Sequence, residues 1–149
     1  MVHMQPDALR KCSDPPAGPP PALPARKVFR SGPQAVKLAR AFVREQLVKE
    51  DPPLTDDQLD DLCLITSELA TNAVRYGTEP GDSFAVALLP ALERVRIEVS
   101  DPVRRMPQMR NESGERARGR GLHIVDRLAV RWAVDERPFG KAVWAEVAR

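Results

Sequence analysis

Residues 55–77 read TDDQLDDLCLITSELATNAVRYG, and this stretch predicts a long amphipathic helix. Thr55 is a good N-cap, the two aspartates after it suit the positive first turn, and Gly77 is a typical C-terminal stop. At about 100° per residue, four apolar side chains fall on one narrow stripe. They are Leu62, Ile65, Leu69 and Tyr76. This stripe predicts which side of the helix faces a hydrophobic core.

Two polar residues border the apolar stripe on the same side of the helix. Asn72 lies next to the stripe, and Glu68 lies a little further round, four residues earlier. Burying an unpaired carboxylate is costly, so chance placement at a core margin is disfavoured. Neighbouring backbone, an arginine or water could satisfy both groups. Alternatively, this side lines a cleft, where a carboxylate beside an amide suits a hydrated Mg²⁺ with its phosphates and a general base. The spacing alone leaves both interpretations open.

The sequence around this helix predicts an α+β fold. RKVFR is a short strand candidate, and SGPQAVKLARAFVREQLVKE is an amphipathic helix with Ser31 as its N-cap. After residue 77 the period changes, with strands SFAVALLP and ERVRIEVS, a loop from about 101 to 119, a short helix GLHIVDRLA, and strands VRWAVDE and KAVWAEV. Helices first and strands later predict a two-layer sandwich. Its mixed, mostly antiparallel sheet is covered on one face by about three helices.

Length and composition predict one domain and exclude several classes of protein. The 149 residues suit a single core, whereas residues 1–25 hold seven prolines and predict a disordered tail before a domain at 26–149. The 23 basic and 21 acidic residues nearly balance, which argues against a nucleic-acid surface. The two cysteines have no metal-ligand spacing, and no apolar run suits a membrane span. We therefore expect a cytoplasmic protein that contacts neither nucleic acid nor membrane.

Two later features carry further candidate chemistry. Asp101 follows the strand ERVRIEVS, where its carboxylate could accept a hydrogen bond from a ligand amine, although an aspartate before Pro102 is also a common turn residue. Gly119 and Gly121 are predicted just ahead of a helix, where unobstructed backbone amides form an anion site. A pair of loop glycines is weak evidence alone. The evidence is stronger because these features follow one another in the chain. An acid and an amide on one helix come first, then an acid at the end of a strand, and then glycines that open a helix.

The segments SELATNAV, EVSDP, GRGLHIVD and GKAVW, in this order, resemble the GHKL ATPase/kinase superfamily, in its bacterial anti-sigma-factor serine kinase branch. The resemblance covers roughly residues 27–149. It implies the GHKL (Bergerat-type) ATP-binding fold, with ATP and Mg²⁺ as cofactors. It also implies that Glu68 is the general base, that Asn72 coordinates Mg²⁺ and that Asp101 binds the adenine amino group. Residues of the second glycine box would hold the phosphates under a mobile lid: Arg118, Gly119, Arg120, Gly121 and Leu122.

The same resemblance implies a reaction and partners. The γ-phosphate of ATP would pass to a serine of a protein resembling anti-sigma-factor antagonists, controlling a sigma factor, and the kinase would be a homodimer. Two departures from the family keep a second hypothesis open, a non-catalytic, nucleotide-dependent protein-binding switch. The segment DPVRRMPQ has no glycine after its aspartate, and Ala142 stands where the family often has a threonine in the adenine pocket.

The arginine-rich segment ERARGRG raises a third hypothesis, a nucleic-acid binder. The segment argues against this hypothesis, because its arginines lie beside acidic residues and it has no aromatic side chains on which bases could stack. They are better explained as lid residues that meet phosphates.

Overall fold

The computed structural model describes residues 25–102 and 116–149, without the side chains of residues 116–121. The predicted tail and most of the predicted arginine-rich loop lie outside the described residues. Five strands are present in these ranges: β1 (Ala25–Arg30), β2 (Ser83–Pro90), β3 (Arg94–Asp101), β4 (Arg131–Arg137) and β5 (Gly140–Ala148). Three α-helices accompany them: α1 (Ala35–Leu47), α2 (Asp56–Asn72) and α3 (Arg116–Leu128). A π-helical segment, Ala73–Gly77, continues α2.

The strands form one sheet in the order β1-β2-β3-β5-β4, with β1 and β4 at its edges. All four pairings among the described strands are antiparallel, so the predicted mixed sheet is antiparallel throughout this part of the chain. Helix α2 contacts α1 and α3 and also β3 and β5. The predicted α+β architecture, an open sheet with a layer of three helices, is confirmed. None of these helices combines the length and the apolar character needed to cross a membrane.

The core lies between the sheet and α2. Alternate residues of β3, namely Val95, Ile97 and Val99, are at most 1% exposed, because every second side chain of a strand points to the same face. The predicted stripe on α2 is buried as well, with Leu62, Ile65 and Leu69 at most 2% exposed. Tyr76, the last member of the predicted stripe, is only half-buried, because it lies in the π-helical segment, where the α-helical period no longer applies.

Helix α2 is buried more widely than one stripe. Cys63, Thr66 and Ser67 are also buried, because α2 is the middle helix of the layer and has a neighbour on each side. Their polar groups are satisfied locally. The Thr66 hydroxyl donates to the Leu62 carbonyl at 2.7 Å, and the Ser67 hydroxyl donates to the Cys63 carbonyl at 3.1 Å.

The helix starts differ in how well the sequence predicted them. Thr55 caps α2 as expected: its hydroxyl accepts from the Gln58 backbone N–H at 3.1 Å, and the Gln58 side chain accepts from the Thr55 N–H at 2.8 Å. The prediction of Ser31 as the N-cap of α1 is wrong, because α1 begins at Ala35 after a turn. The Ser31 hydroxyl instead lies 2.6 Å from the Thr78 hydroxyl, just beyond the π-helical segment.

The sheet face opposite the core carries a buried charge cluster. The Glu146 carboxylate accepts hydrogen bonds from Arg94, Arg96 and Arg131 at 2.6–3.1 Å. The Arg96 guanidinium also stacks on the Trp144 ring, 3.9 Å from its centre. Burial alone would raise the pKa of Glu146, but the hydrogen bonds from the three arginines outweigh it and hold this pKa below its ordinary value. The cluster joins β3, β4 and β5 on the face without helices.

Candidate functional site

Glu68 and Asn72 lie one turn apart near the end of α2, and both are half-buried at the edge of the core. Neither side chain makes a hydrogen bond within the described part of the chain, although Arg75 acts on the Glu68 carboxylate electrostatically. Burial raises the pKa of the Glu68 carboxyl, and the positive charge of Arg75 offsets part of this rise. The pair therefore presents a proton acceptor of increased basicity beside an amide oxygen that can bind a cation.

Asp101 is the last residue of β3 and is bound by a lysine that sequence reasoning missed. Its register partner in β5 is Lys141, whose ammonium lies 2.8 and 2.9 Å from the two carboxylate oxygens. The side chains are 4% and 7% exposed. The alternative of a surface turn aspartate is thus wrong. Ala142, expected in the same pocket, belongs to the opposite face, because neighbouring residues of a strand alternate between faces.

Two glycines bring other parts of the chain against Asp101. A Cβ atom at Gly77 would overlap the Asp101 carboxylate, and one at Gly140 would overlap the Asp101 backbone. Gly140 also has φ +150°, a conformation that favours glycine. Asn72 lies five residues before Gly77, which is at most about 8 Å along a helix axis. The π-helical segment therefore connects the polar pair of α2 to the strand-end carboxylate.

The second glycine motif is placed differently from its prediction. Helix α3 begins at Arg116, so Gly119 and Gly121 lie inside it, not ahead of it. The four amides without a partner inside a helix are those of the capping residue and of the first three helical residues, so they end at Arg118 and include neither Gly119 nor Gly121. The side chain of Leu122 is 1% exposed and belongs to the core. The helix extends further because arginine and alanine are strong helix formers, and single glycines weaken a helix without ending it.

The roles assigned to this motif stay predictions. The side chains of Arg118 and Arg120 are outside the described part of the structure. Helix α3 contacts α2, so the motif belongs to the same helical layer as Glu68 and Asn72.

A cavity of about 290 Å³ opens beside the Asp101 end of the sheet. Its lining residues come from β1, the facing ends of β2 and β3, and the β4–β5 turn: Arg26, Val28, Ser83–Ala85, Ser100–Pro102 and Arg137–Lys141. Neither Glu68 nor Asn72 lines it. The paired residues Val28, Ala85 and Ser100 continue to Ala142 on the sheet face without helices. The cavity therefore opens on that face and is separate from the side of the sheet that carries Asp101, Glu68 and Asn72.

Comparison with protein families identifies the chain. None of the curated proteins with which it was compared matches it. The family model described as the histidine kinase-like ATPase domain matches residues 29–147, which include Glu68, Asn72, Asp101 and helix α3. The match spans most of the chain and agrees with the open antiparallel sheet and its layer of three helices. The chain therefore belongs to the histidine kinase-like ATPase domain family, within the GHKL superfamily, and this membership implies that it binds ATP.

Proposed function

We propose that the protein binds ATP with Mg²⁺ and transfers the γ-phosphate to a serine of a partner that resembles anti-sigma-factor antagonists. Phosphorylation of this partner would control the availability of a sigma factor. One observation carries the proposal: Glu68 and Asn72 lie a turn apart, half-buried and without hydrogen-bond partners in the described residues. Burial raises the pKa of this carboxyl, and the lack of a hydrogen-bond partner among the described residues leaves it available to a ligand or substrate.

Glu68 acts as the general base in this proposal. It accepts the proton of the serine hydroxyl while the serine oxygen forms its bond to the γ-phosphorus. The bond between this phosphorus and the bridging oxygen breaks, and the electron pair leaves with ADP. Because burial raises the pKa of Glu68, its carboxylate holds the transferred proton more strongly than an exposed glutamate would.

The amide oxygen of Asn72 is the protein's ligand for Mg²⁺. Among the described residues there is no cluster of three or more His, Cys, Asp or Glu side chains that would form a protein cage for a metal. A single amide beside a carboxylate fits Mg²⁺ held mainly by water and phosphate oxygens. When bound, Mg²⁺ neutralises negative charge on the phosphates.

We expect Asp101→Asn to weaken ATP binding about ten- to a hundredfold. The carboxylate accepts a hydrogen bond from the adenine amine, and such a bond to a charged group is worth about 1.5–3 kcal/mol. Titration calorimetry measures the affinity, with the folded fraction of the variant determined in parallel. Asp135→Asn is a matched control, because the Asp135 side chain is 45% exposed. Unchanged ATP affinity in folded Asp101→Asn would exclude Asp101 from the adenine site.

We expect Asn72→Ala to remove the Mg²⁺-dependent part of ATP affinity and to leave the Mg²⁺-independent part unchanged. The substitution removes the amide oxygen that contacts the cation but does not alter the adenine site near Asp101. Titrations of ATP with Mg²⁺ and with EDTA separate the two parts. Thr71→Ala, the half-buried neighbour on the same helix, is the control. Equal losses in both conditions would mean that Asn72 supports the helix and not the cation.

The reaction itself is tested by label transfer from [γ-³²P]ATP to candidate antagonist proteins, with phosphoserine analysis of the product. Transfer to a serine supports the kinase.

A second candidate function, a nucleotide-dependent binding switch without catalysis, is favoured by the absence of glycine in DPVRRMPQ after the adenine-site strand. Nucleotide-dependent binding of a partner that never acquires label would contradict the kinase and support the switch.

A further inference from the structure

We propose that Lys141 is a positioning residue of the nucleotide site, which holds the Asp101 carboxylate charged and fixed in the orientation that receives the adenine amine. This inference rests on the proposed role of Asp101 in ATP binding. It concerns a residue that acts through Asp101 and does not itself contact the nucleotide.

The first support is the register of the sheet. Asp101 and Lys141 are the last pair of the β3–β5 ladder, so their side chains start from directly opposed Cα atoms and lie on one face. The ammonium then lies at almost equal distances, 2.8 and 2.9 Å, from the two carboxylate oxygens. An ammonium that binds both oxygens restrains the rotation of the carboxylate more than one bond would.

The second support is the confinement of the pair. The Asp101 carboxylate faces the backbone of Gly77, and Gly140, next to Lys141, faces the Asp101 backbone. At both positions a Cβ atom would overlap Asp101, so these segments approach as closely as glycine allows. The carboxylate therefore lies between the end of the π-helical segment and the lysine, with little room for another rotamer.

The third support is electrostatic. A carboxylate that is 4% exposed loses most of its hydration, and the ionised form persists at such a site only with a counter-charge. Lys141 supplies this charge from a side chain that is itself 7% exposed. The ionised form matters because a carboxylate only accepts hydrogen bonds, whereas a protonated carboxyl also donates. Each oxygen has two lone pairs, so an oxygen that accepts from Lys141 can also accept from an amine.

The test compares ATP with purine riboside triphosphate, which has hydrogen in place of the 6-amino group. For the wild type we expect ATP to bind about ten- to a hundredfold more tightly than this analogue. For Lys141→Met we expect the ratio of the two affinities to fall close to one, because ATP affinity falls while the analogue's affinity is unchanged. A merely structural role of Lys141 would weaken both nucleotides equally and leave the ratio at its wild-type value.

Two controls and one substitute variant make the test decisive. Lys37→Met, at an exposed position of α1, should keep the wild-type ratio. Lys141→Arg keeps the charge and should retain most of the preference for ATP. If Lys141→Met does not fold, Lys141→Gln takes its place, because it keeps the polar side chain but lacks the charge.

The outcomes separate this inference from the proposed function. A wild-type ratio in the folded Lys141 variant overturns the positioning role, and so does an increase in its ATP affinity, which would mean that Lys141 competes with the nucleotide. A wild type that binds neither nucleotide contradicts the proposed function itself. A wild type that binds both equally removes Asp101 from the adenine site, and with it the role of Lys141.

Discussion

Glu68→Gln is expected to lower the rate of phosphate transfer by about 10²–10⁴-fold, the usual contribution of a general base. Glutamine keeps the volume and most of the hydrogen-bonding capacity of glutamate but cannot accept the serine proton. ATP affinity should stay near the wild-type value, because the proposed contact with the adenine is made by Asp101 and not by Glu68. The assay is label transfer to a phosphorylatable partner, run beside nucleotide titration. Glu45→Gln, at an exposed position of α1, is the matched control.

The pH dependence of the wild-type rate provides a second readout of Glu68. Burial raises the pKa of this carboxyl above its ordinary value of 4.5, and only the ionised form can take a proton. The rate should therefore fall on the acidic side at a higher pH than an ordinary glutamate would give, and Glu68→Gln should lack this step. Full-rate transfer by the variant would show that another group removes the proton.

The raised pKa of Glu68 also predicts the effect of this substitution on stability. A carboxyl whose pKa is higher in the folded state favours folding when protonated, and this contribution is lost as the pH rises through the folded-state pKa. At neutral pH the folded wild type therefore holds a charge that burial disfavours. Glu68→Gln should unfold at a slightly higher temperature than the wild type, although its rate of phosphate transfer is lower. Such opposite effects are typical of functional residues.

Glu146→Gln is expected to lower the free energy of unfolding by about 3 kcal/mol, the lower end of the range for breaking a buried ion pair. The substitution leaves Arg94, Arg96 and Arg131 around a neutral amide. The loss stays at the lower end because the side chains of Arg94 and Arg96 are 31% and 19% exposed and keep some contact with water. For a domain of this size the melting temperature should fall by about 10 °C.

The effect of Glu146→Gln should depend on pH with a definite sign. The pKa of Glu146 is lowered in the folded state, so the ion cluster contributes its full stability above the ordinary value of 4.5. This contribution is lost as the pH falls through the lower folded-state pKa. Denaturant unfolding of wild type and variant should therefore give a difference that shrinks in acid. Glu136→Gln, an exposed position on β4, is the control. A difference independent of pH would mean that the lost stability comes from packing and not from charge.

The sequence predicted the elements of this fold because their signals are local. The alternation of Val95, Ile97 and Val99 with charged residues determines which face of β3 is buried, wherever its neighbours lie. The capping box at Thr55 lies within one turn of helix and needs no tertiary contact to form. Ser31 had an equally good local signal as a helix cap. Its hydroxyl instead lies within hydrogen-bond distance of Thr78, a residue distant in sequence. A single sequence cannot reveal such competition.

From the sequence, candidate site residues could be related to one another only where they share one element. Glu68 and Asn72 could be related by helical spacing, whereas the partner of Asp101 depends on the register between β3 and β5. That register follows from the pairing of whole strands, and a shift of one residue would have placed Ala142 beside Asp101. The start of α3 was misjudged because glycine is only moderately unfavourable in a helix, so neighbouring strong helix formers decide the boundary.

The π-helical segment Ala73–Gly77 makes this region intolerant of changes in chain length. A π-helical turn contains one residue more than an α-helical turn, and each helical residue turns the chain by about 100°. A single deletion between Asn72 and Gly77 would let α2 continue regularly, and it would rotate Gly77 away from Asp101 and bring a side chain toward the carboxylate. Insertions and deletions, which surface loops accept freely, should therefore not be tolerated among these five residues. Their number is set by the close approach of Gly77 to the Asp101 carboxylate, not by the requirements of the helix.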